Sequence, residues 1–343
     1  MRKIKNPIVR AGIHILLFVW VFYSVIPFLW TVLTSLKLPV EANSRTPKIF
    51  GFEVTFDNYA SLWLKPDQKR RPFTYDNFIP VGIILLVILA LLVAFYFLSQ
   101  RYLKLSKPKA GLILTGILLL VVIFLPNVAE MSKSYDYFVN SIIVTFFTLV
   151  ISISIGCLGG YAIARYDKIW GVVILIAALA FRALPRMAFV LPYYYLGNAI
   201  NLYDTKILLI MILVAVNQPF TIWMLRSFFM DIPKELEEAA MIDGAGRLQS
   251  FFRVILPITW PGIITTSLFT LLLAYNEFLL PRILTQSNWT FPVQIASYTS
   301  GEDAAYKTVA AAASVSITLP LIFIIVIFQK RLVKGLAVGA VKG

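Results

Sequence analysis

Long unbroken runs of apolar side chains limit what this chain can become more than any other feature. Eight stretches of about 20 residues carry almost no charge: near 11–36, 80–98, 110–128, 138–164, 170–196, 206–229, 261–284 and 309–329. About 20 apolar residues in a helix cross the hydrocarbon core of a bilayer, where every backbone N–H and C=O must be bonded within the segment. Barrel strands alternate in polarity over about ten residues instead. The expected fold is therefore an all-α polytopic membrane protein. Composition agrees, with 59% hydrophobic and 14% charged residues and a mean hydropathy of +0.81. That is too little polar surface to cover a water-facing globule, where about a quarter of residues are charged. A single cysteine, Cys157, excludes an internal disulfide, and a single histidine, His14, removes most histidine-based chemistry. The first apolar run follows a basic start but continues past Pro27 to Leu36, too long for the core of a cleaved leader, so it reads as a retained helix.

The net charge of +14 points to membrane orientation rather than to nucleic acid. With the N-terminus in the cytoplasm, the segments on that side carry 18 of the 31 basic residues and six acids. That side is then +12 and the remainder +2. This is the positive-inside bias, and both termini come out cytoplasmic. Lys69, Arg70 and Arg71 fall on the other side, in a long loop of mixed charge.

Residues 231–260 are too polar to span and too patterned for a plain linker. Asp231, Pro233 and the acids Glu235, Glu237 and Glu238 suit a helix start. Gly244 and Gly246 suit its end. Leu248, Phe251, Phe252 and Ile255 predict a second short helix with one apolar stripe, closed by Pro257. The expectation is a rigid knob of two short helices on the cytoplasmic face; physical chemistry alone also allows an amphipathic loop on the lipid headgroups.

Glu238-Ala239-Ala240, Asp243-Gly244-Ala245 and Ile255-Leu256-Pro257 resemble, at the same spacing, the EAA loop of binding-protein-dependent ABC importer permeases. Further segments are similar to the maltose-type carbohydrate branch: Ile26–Trp30, Thr34–Lys37, Asp57–Tyr59, Asn140-Ser141, Ala162–Arg165, Trp223–Arg226 and Asn276–Phe278. The tail Lys334–Gly343 resembles that of the MalG-like second permease subunit. The resemblance implies an ABC importer type I permease bundle, a prokaryotic multi-pass protein of the inner membrane. It further implies that Glu238, Ala239, Ala240, Asp243, Gly244, Leu256 and Pro257 couple to an ATPase, and that Lys334, Gly335, Lys342 and Gly343 reach the ATPase interface. Expected partners are a second, MalF-like permease subunit, two ATPase subunits, an extracytoplasmic sugar-binding protein and membrane lipids, but no nucleic acid. The sequence holds no GxxxxGK[ST] phosphate loop, so no cofactor and no enzymatic activity are expected on this chain, with ATP and Mg on the partner ATPase.

Residues 65–130 depart from the family pattern. The expected organisation is a basic segment and first span at 1–37, an external loop at 38–79, an inserted transmembrane hairpin at 80–128, a permease core at 138–329 containing the loop 231–260, and a cytoplasmic tail at 330–343. Two added spans turn six family helices into eight and leave the orientation of the downstream segments unchanged. The hairpin is rich in Leu, Ile and Val, which suits a lipid-facing addition or a docking surface for a partner.

Charges inside a membrane are costly and therefore candidate sites. Arg182 and Arg186 flank Pro185, and Asn276-Glu277 lie late in the seventh span; these four are the candidate pathway residues. Arg182 and Arg186 suit contact with an acidic substrate group, or simple structural satisfaction by carbonyls near the prolines. No metal site is expected. The functional expectation is a permease subunit of an ATP-driven sugar importer. Alternatives are the same machine for an anionic substrate (a glycerol phosphate, or an acidic or sulfonated sugar), an ion-coupled secondary carrier, or a scaffold without transport.

Overall fold

The computed structural model describes residues 7–46, 48–64, 131–165, 169–299 and 304–340. The hairpin expected at 80–128 and the tail residues Lys342 and Gly343 lie outside the described residues. The elements are helices: α1 Pro7–Ser35, α2 Pro39–Ala42, α3 Asp57–Trp63, α4 Lys133–Arg165, α5 Ile169–Ala183, α6 Met187–Ala199, α7 Lys206–Met230, α8 Glu235–Ile242, α9 Arg247–Ser250, α10 Leu256–Tyr275, α11 Leu279–Leu284, α12 Phe291–Thr299 and α13 Ala304–Ala340. Among the described residues there is no strand, only an isolated bridge between Leu64 and Met131.

Among the described residues, five helical stretches are long and apolar enough to cross a membrane: Ala11–Ser35, Lys133–Arg165, Lys206–Met230, Arg247–Tyr275 and Tyr306–Gln329. A sixth span results if α5 and α6 are taken together, although they are bent by 96° at their junction. These six answer the apolar runs outside 80–128. The stretch expected as one span at 170–196 is made of two helices. Pro185 has no N–H to donate and disfavours helical geometry at Leu184, so the ladder stops at Ala183 and restarts at Met187.

Two further differences concern the run expected at 261–284. Pro257 does not close a short helix; it sits in the first turn of α10, where its missing N–H costs nothing. The residues before it, Phe251–Ile255, form a π turn in which the Leu256 N–H bonds to the Phe251 carbonyl, so α9, the π turn and α10 run on continuously. The expected apolar stripe divides accordingly. Phe251 and Ile255 are buried, whereas Leu248 and Phe252 are exposed. At the far end the helix stops at Tyr275 rather than near 284, and Glu277 falls in the break before α11.

The described residues divide into two units. In the first, Met1–Asp136 with Ile295–Thr318, residues 11–27 of α1 are exposed throughout although most are apolar. Such a surface needs lipid or another subunit against it. The end of α1 is held by the segment around α3: the Asn58 side chain donates to the Ser35 and Lys37 carbonyls at 2.9 Å each, and the Ser35 hydroxyl meets the Tyr59 hydroxyl at 2.7 Å. Lys37 is buried, donates to the Lys48 carbonyl at 2.6 Å and lies over the Trp30 and Phe52 rings. Three of the segments that carry the family resemblance, Ile26–Trp30, Thr34–Lys37 and Asp57–Tyr59, therefore meet in one joint.

The second unit, Tyr137–Gln294 with Leu319–Gly343, is built around α7. One end of α7 contributes Leu208, Leu209, Ile212 and Leu213 to a core shared with Val144, Val190, Leu280 and Leu284. The other end contributes Leu225 and Phe229 to a second core with Cys157, Ile232, Phe251, Ile255 and Ile263. Between them the Thr221 and Thr270 hydroxyls, both fully buried, pair at 3.1 Å across α7 and α10. Helix α4 lies close against α7 because its small residues allow it. A Cβ added at Gly160 would stand 3.0 Å from the Arg226 backbone nitrogen and 3.1 Å from Leu225 Cβ.

Candidate functional site

Two places in the second unit gather the residues singled out by the sequence. The first is the knob. Helix α8 begins with three acids in its first turn, Glu235, Glu237 and Glu238, where unbonded N–H groups favour negative charge. It ends at Gly244, whose φ of +88° is a left-handed conformation that glycine adopts without strain. The chain then re-enters α9 from an extended Gly246.

The knob is fixed by Glu237, a side chain that its sequence position marks only as a helix-start acid. Glu237 is the one buried residue of α8. Its Oε1 accepts from the Tyr161 hydroxyl and its Oε2 accepts from Arg165 Nε at 2.9 Å. The same guanidinium donates to the Phe229 and Ile232 carbonyls at 3.2 and 3.3 Å, and the Tyr161 ring packs against Phe229 and Phe251. One arginine at the end of α4 thus ties α8 to the last turn of α7 and to the turn after it. The signal available in sequence was the Ala162–Arg165 segment, which carries a family resemblance but no evident role.

With Glu237 turned inward, the other side of the knob is open. Glu238, Ala239, Asp243, Gly244 and Pro257 are exposed, with Ala240 and Leu256 half-buried. Around them Leu236, Ile242, Leu248 and Phe252 are exposed, Ile242 at 86%. A hypothetical Cβ on Gly244 meets nothing within 4 Å. Lys334 and Gly335 lie in the last part of α13, whose helix continues without a break past 330.

The second place is the break between α5 and α6. Arg186, Asn276 and Glu277 line a common cavity of about 510 Å³ together with Leu272, Leu273, Phe278 and Leu279. Arg186 Nη1 forms an ion pair with Glu277 Oε2, whose side chain is only 6% exposed. Glu277 Oε1 also accepts the Leu279 and Leu280 N–H groups at 3.2 and 3.4 Å, capping α11. Asn276 is satisfied by its own helix, donating to the Leu272 carbonyl at 2.9 Å. Arg182 is separate from this group. Its guanidinium lies 5.0 Å from the Phe220 ring centroid, and its Nη1 is buried with no hydrogen-bond partner among the described residues. It borders two other cavities, of about 230 and 370 Å³.

At the end of α7 opposite the knob, Asp204 organises the loop before α12. It accepts the Gln286, Ser287 and Asn288 N–H groups at 2.9–3.2 Å and the Ser287 hydroxyl, while its own carbonyl accepts Asn288 Nδ2 at 2.6 Å. Burial pushes its carboxyl upward, but the bonds from Ser287, Gln286 and Asn288 outweigh this and hold it below the ordinary value. Among the described residues no group of three or more His, Cys, Asp or Glu is placed to hold a metal ion.

Known proteins resemble this arrangement in sequence and in shape. The trehalose transport system permease protein SugB of Mycobacterium tuberculosis is 37% identical over 208 residues, which are 60% of this chain and 76% of that protein. The trehalose/maltose transport system permease protein MalG of Thermococcus litoralis is 34% identical over 209 residues, 60% of this chain and 75% of that one. In three dimensions, a bacterial ABC transporter involved in the import of the acidic polysaccharide alginate superposes with a TM-score of 0.63 at 16% identity, covering 96% of this chain and 98% of the other. The two sequence relatives agree with the MalG-like, carbohydrate-permease resemblance carried by the segments outside the EAA loop and by the tail. Since residues 152–338, more than half of the sequence, match the binding-protein-dependent transport system inner membrane component, the chain belongs to that family of permeases.

Proposed function

We propose that this chain is one of two permease subunits in an ATP-driven, binding-protein-dependent sugar importer. It has eight spans when the hairpin at 80–128 is included, and both termini are cytoplasmic. The observation that carries the reading is the knob: Glu237 is locked inward by Arg165 and Tyr161, and an apolar rim of Leu236, Ile242, Leu248 and Phe252 is left bare around Glu238-Ala239-Ala240. Exposed apolar residues on a rigid polar knob fit a docking surface better than a solvated loop. The occupant is an ATPase subunit, which binds ATP and Mg; this chain is not itself an enzyme.

Two such ATPases, a second MalF-like permease and an extracytoplasmic binding protein complete the machine. Closure of the nucleotide-bound ATPase pair moves the knob, and the lock passes that motion to α4 and α7. The bundle then shifts from inward-open to outward-open, receives sugar from the binding protein and is reset by hydrolysis. Arg186, Asn276 and Glu277 brace the break in the fifth span and border the pathway. The tail beyond Lys334 reaches the ATPase interface.

The test is uptake by the reconstituted importer together with its ATPase. Ile242→Asp and Glu238→Lys are expected to abolish sugar-stimulated hydrolysis and ATPase-subunit retention. Intact uptake in both variants overturns the proposal. Uptake that stops when the proton gradient collapses while ATP stays high would assign the chain to the ion-coupled carriers instead.

A further inference from the structure

The two arginines at the break of the fifth span have different circumstances. Arg186 is neutralised by Glu277. Arg182 has no carboxylate within ion-pair distance among the described residues, and its buried Nη1 is left without an acceptor. A guanidinium stays charged in any protein, so its charge must be met by an anion, carbonyls or water, and in an apolar setting a missing partner is costly.

The surroundings of Arg182 are aromatic and open. Phe220 lies under the guanidinium, and Trp223, 46% exposed, lines the same cavity of about 370 Å³. That volume is within the roughly 300–1,000 Å³ of small-molecule sites. Phe181 and Tyr193 line the adjoining cavity that Arg182 also borders. Flat aromatic faces match the apolar faces of sugar rings, and a guanidinium fork matches the two oxygens of a carboxylate or sulfonate. The site also lies where the helix is interrupted, and non-helical backbone at membrane depth is tolerated where it lines a cavity.

We propose that Arg182, with Phe220 and Trp223, forms a subsite for a saccharide bearing an oxyanion, carboxylate or sulfonate, and that Arg182 selects it over a neutral sugar of the same size. The proposal rests on the sugar-importer reading and narrows its substrate class.

The experiment measures equilibrium binding of glucuronate, sulfoquinovose and glucose to the purified, fully assembled importer in detergent, without binding protein. Wild type, Arg182→Gln and Arg182→Lys are compared. The expected result is at least about tenfold tighter binding of both anionic sugars than of glucose, the scale of one charge-assisted hydrogen-bond pair. Arg182→Gln should erase that preference and Arg182→Lys retain part of it. The wild-type comparison needs no variant to fold: equal affinity for the three sugars, or no measurable binding of the anionic two, overturns the proposal. An equal preference in Arg182→Gln overturns it as well, placing the recognition elsewhere. The importer reading is judged separately, by whether any sugar delivered by the binding protein stimulates hydrolysis in wild type. Stimulation by a neutral sugar with no anion preference keeps the importer and removes the subsite.

Discussion

Arg165 Nε and Glu237 Oε2 meet at 2.9 Å across 72 residues of sequence, and their pairing holds the knob to the bundle. Both side chains are largely buried, at 15% and 11% exposed. Removing one partner of such a pair leaves an uncompensated charge and costs about 3 kcal/mol. Arg165→Met or Glu237→Ala is therefore expected to lower the melting temperature and open residues 231–250 to protease. Both variants should also weaken transport-coupled hydrolysis more than ATPase binding. The swapped pair Arg165→Glu with Glu237→Arg should recover part of the protease resistance, since the charges again face one another.

The Arg186–Glu277 pair should behave as a coupled unit. Glu277→Gln keeps an acceptor for the Leu279 and Leu280 N–H groups but strands the guanidinium, whereas Arg186→Met strands the carboxylate. Each single variant is expected to destabilise by about 2–4 kcal/mol, and the double variant by less than their sum. Thermal unfolding of the four proteins measures the coupling; strict additivity would show that the pair is not an interacting unit.

Gly160 tests the close contact of α4 and α7. Gly160→Leu places a Cβ 3.0 Å from the Arg226 backbone nitrogen, must push the two helices apart, and is expected to cost about 1–3 kcal/mol. Gly12→Leu, where nothing lies within 4 Å, is the matched control and should leave stability nearly unchanged. Melting temperatures of the two variants in the same detergent decide it.

Gly244 separates conformation from contact. Its φ of +88° makes Gly244→Ala strained by about 1 kcal/mol although open space surrounds the new methyl group. A larger residue, Gly244→Phe, adds little strain beyond that within the chain. Loss of ATPase retention in Gly244→Phe but not in Gly244→Ala is the expected outcome, read by co-purification, because only the larger side chain obstructs a docked partner.

Asp204 gives a pH dependence with a definite sign. Its carboxyl is held below the ordinary 3.8 in the folded protein. Its contribution is therefore fully present above that ordinary value and is lost as pH falls through the lower folded value. Amide exchange at Gln286, Ser287 and Asn288, corrected for intrinsic rates, should stay slow at neutral pH and quicken on acidification below about 4. Asp204→Asn should show the quickened exchange at neutral pH.

Much of the architecture is legible in residue order alone. Apolar runs near 138–164, 206–229 and 309–329 correspond to helices within a few residues, because a bilayer leaves helices as the only way for such runs to bond their backbone. The short helix ending at Gly244 is equally legible, since its acids and its glycine act locally. Pro257 misleads for a physical reason: a proline ends a helix only if its missing N–H was needed, and a π turn before it removes that need. Glu237 and Glu238 are adjacent acids in one first turn, and nothing local says that one points to Arg165 and the other to solvent.

Residue order thus dictates the membrane class, the six apolar runs outside 80–128 and the knob that carries the family resemblance. Those properties come from composition, from the period of the helix and from local turn chemistry. Packing in three dimensions was needed to pair Arg165 with Glu237, to give Glu277 to Arg186 and not to Arg182, and to leave Leu248 and Phe252 bare while Phe251 and Ile255 are buried. Each of those outcomes depends on helix rotation and on contacts between distant segments, which side-chain volume and charge settle together when the helices pack.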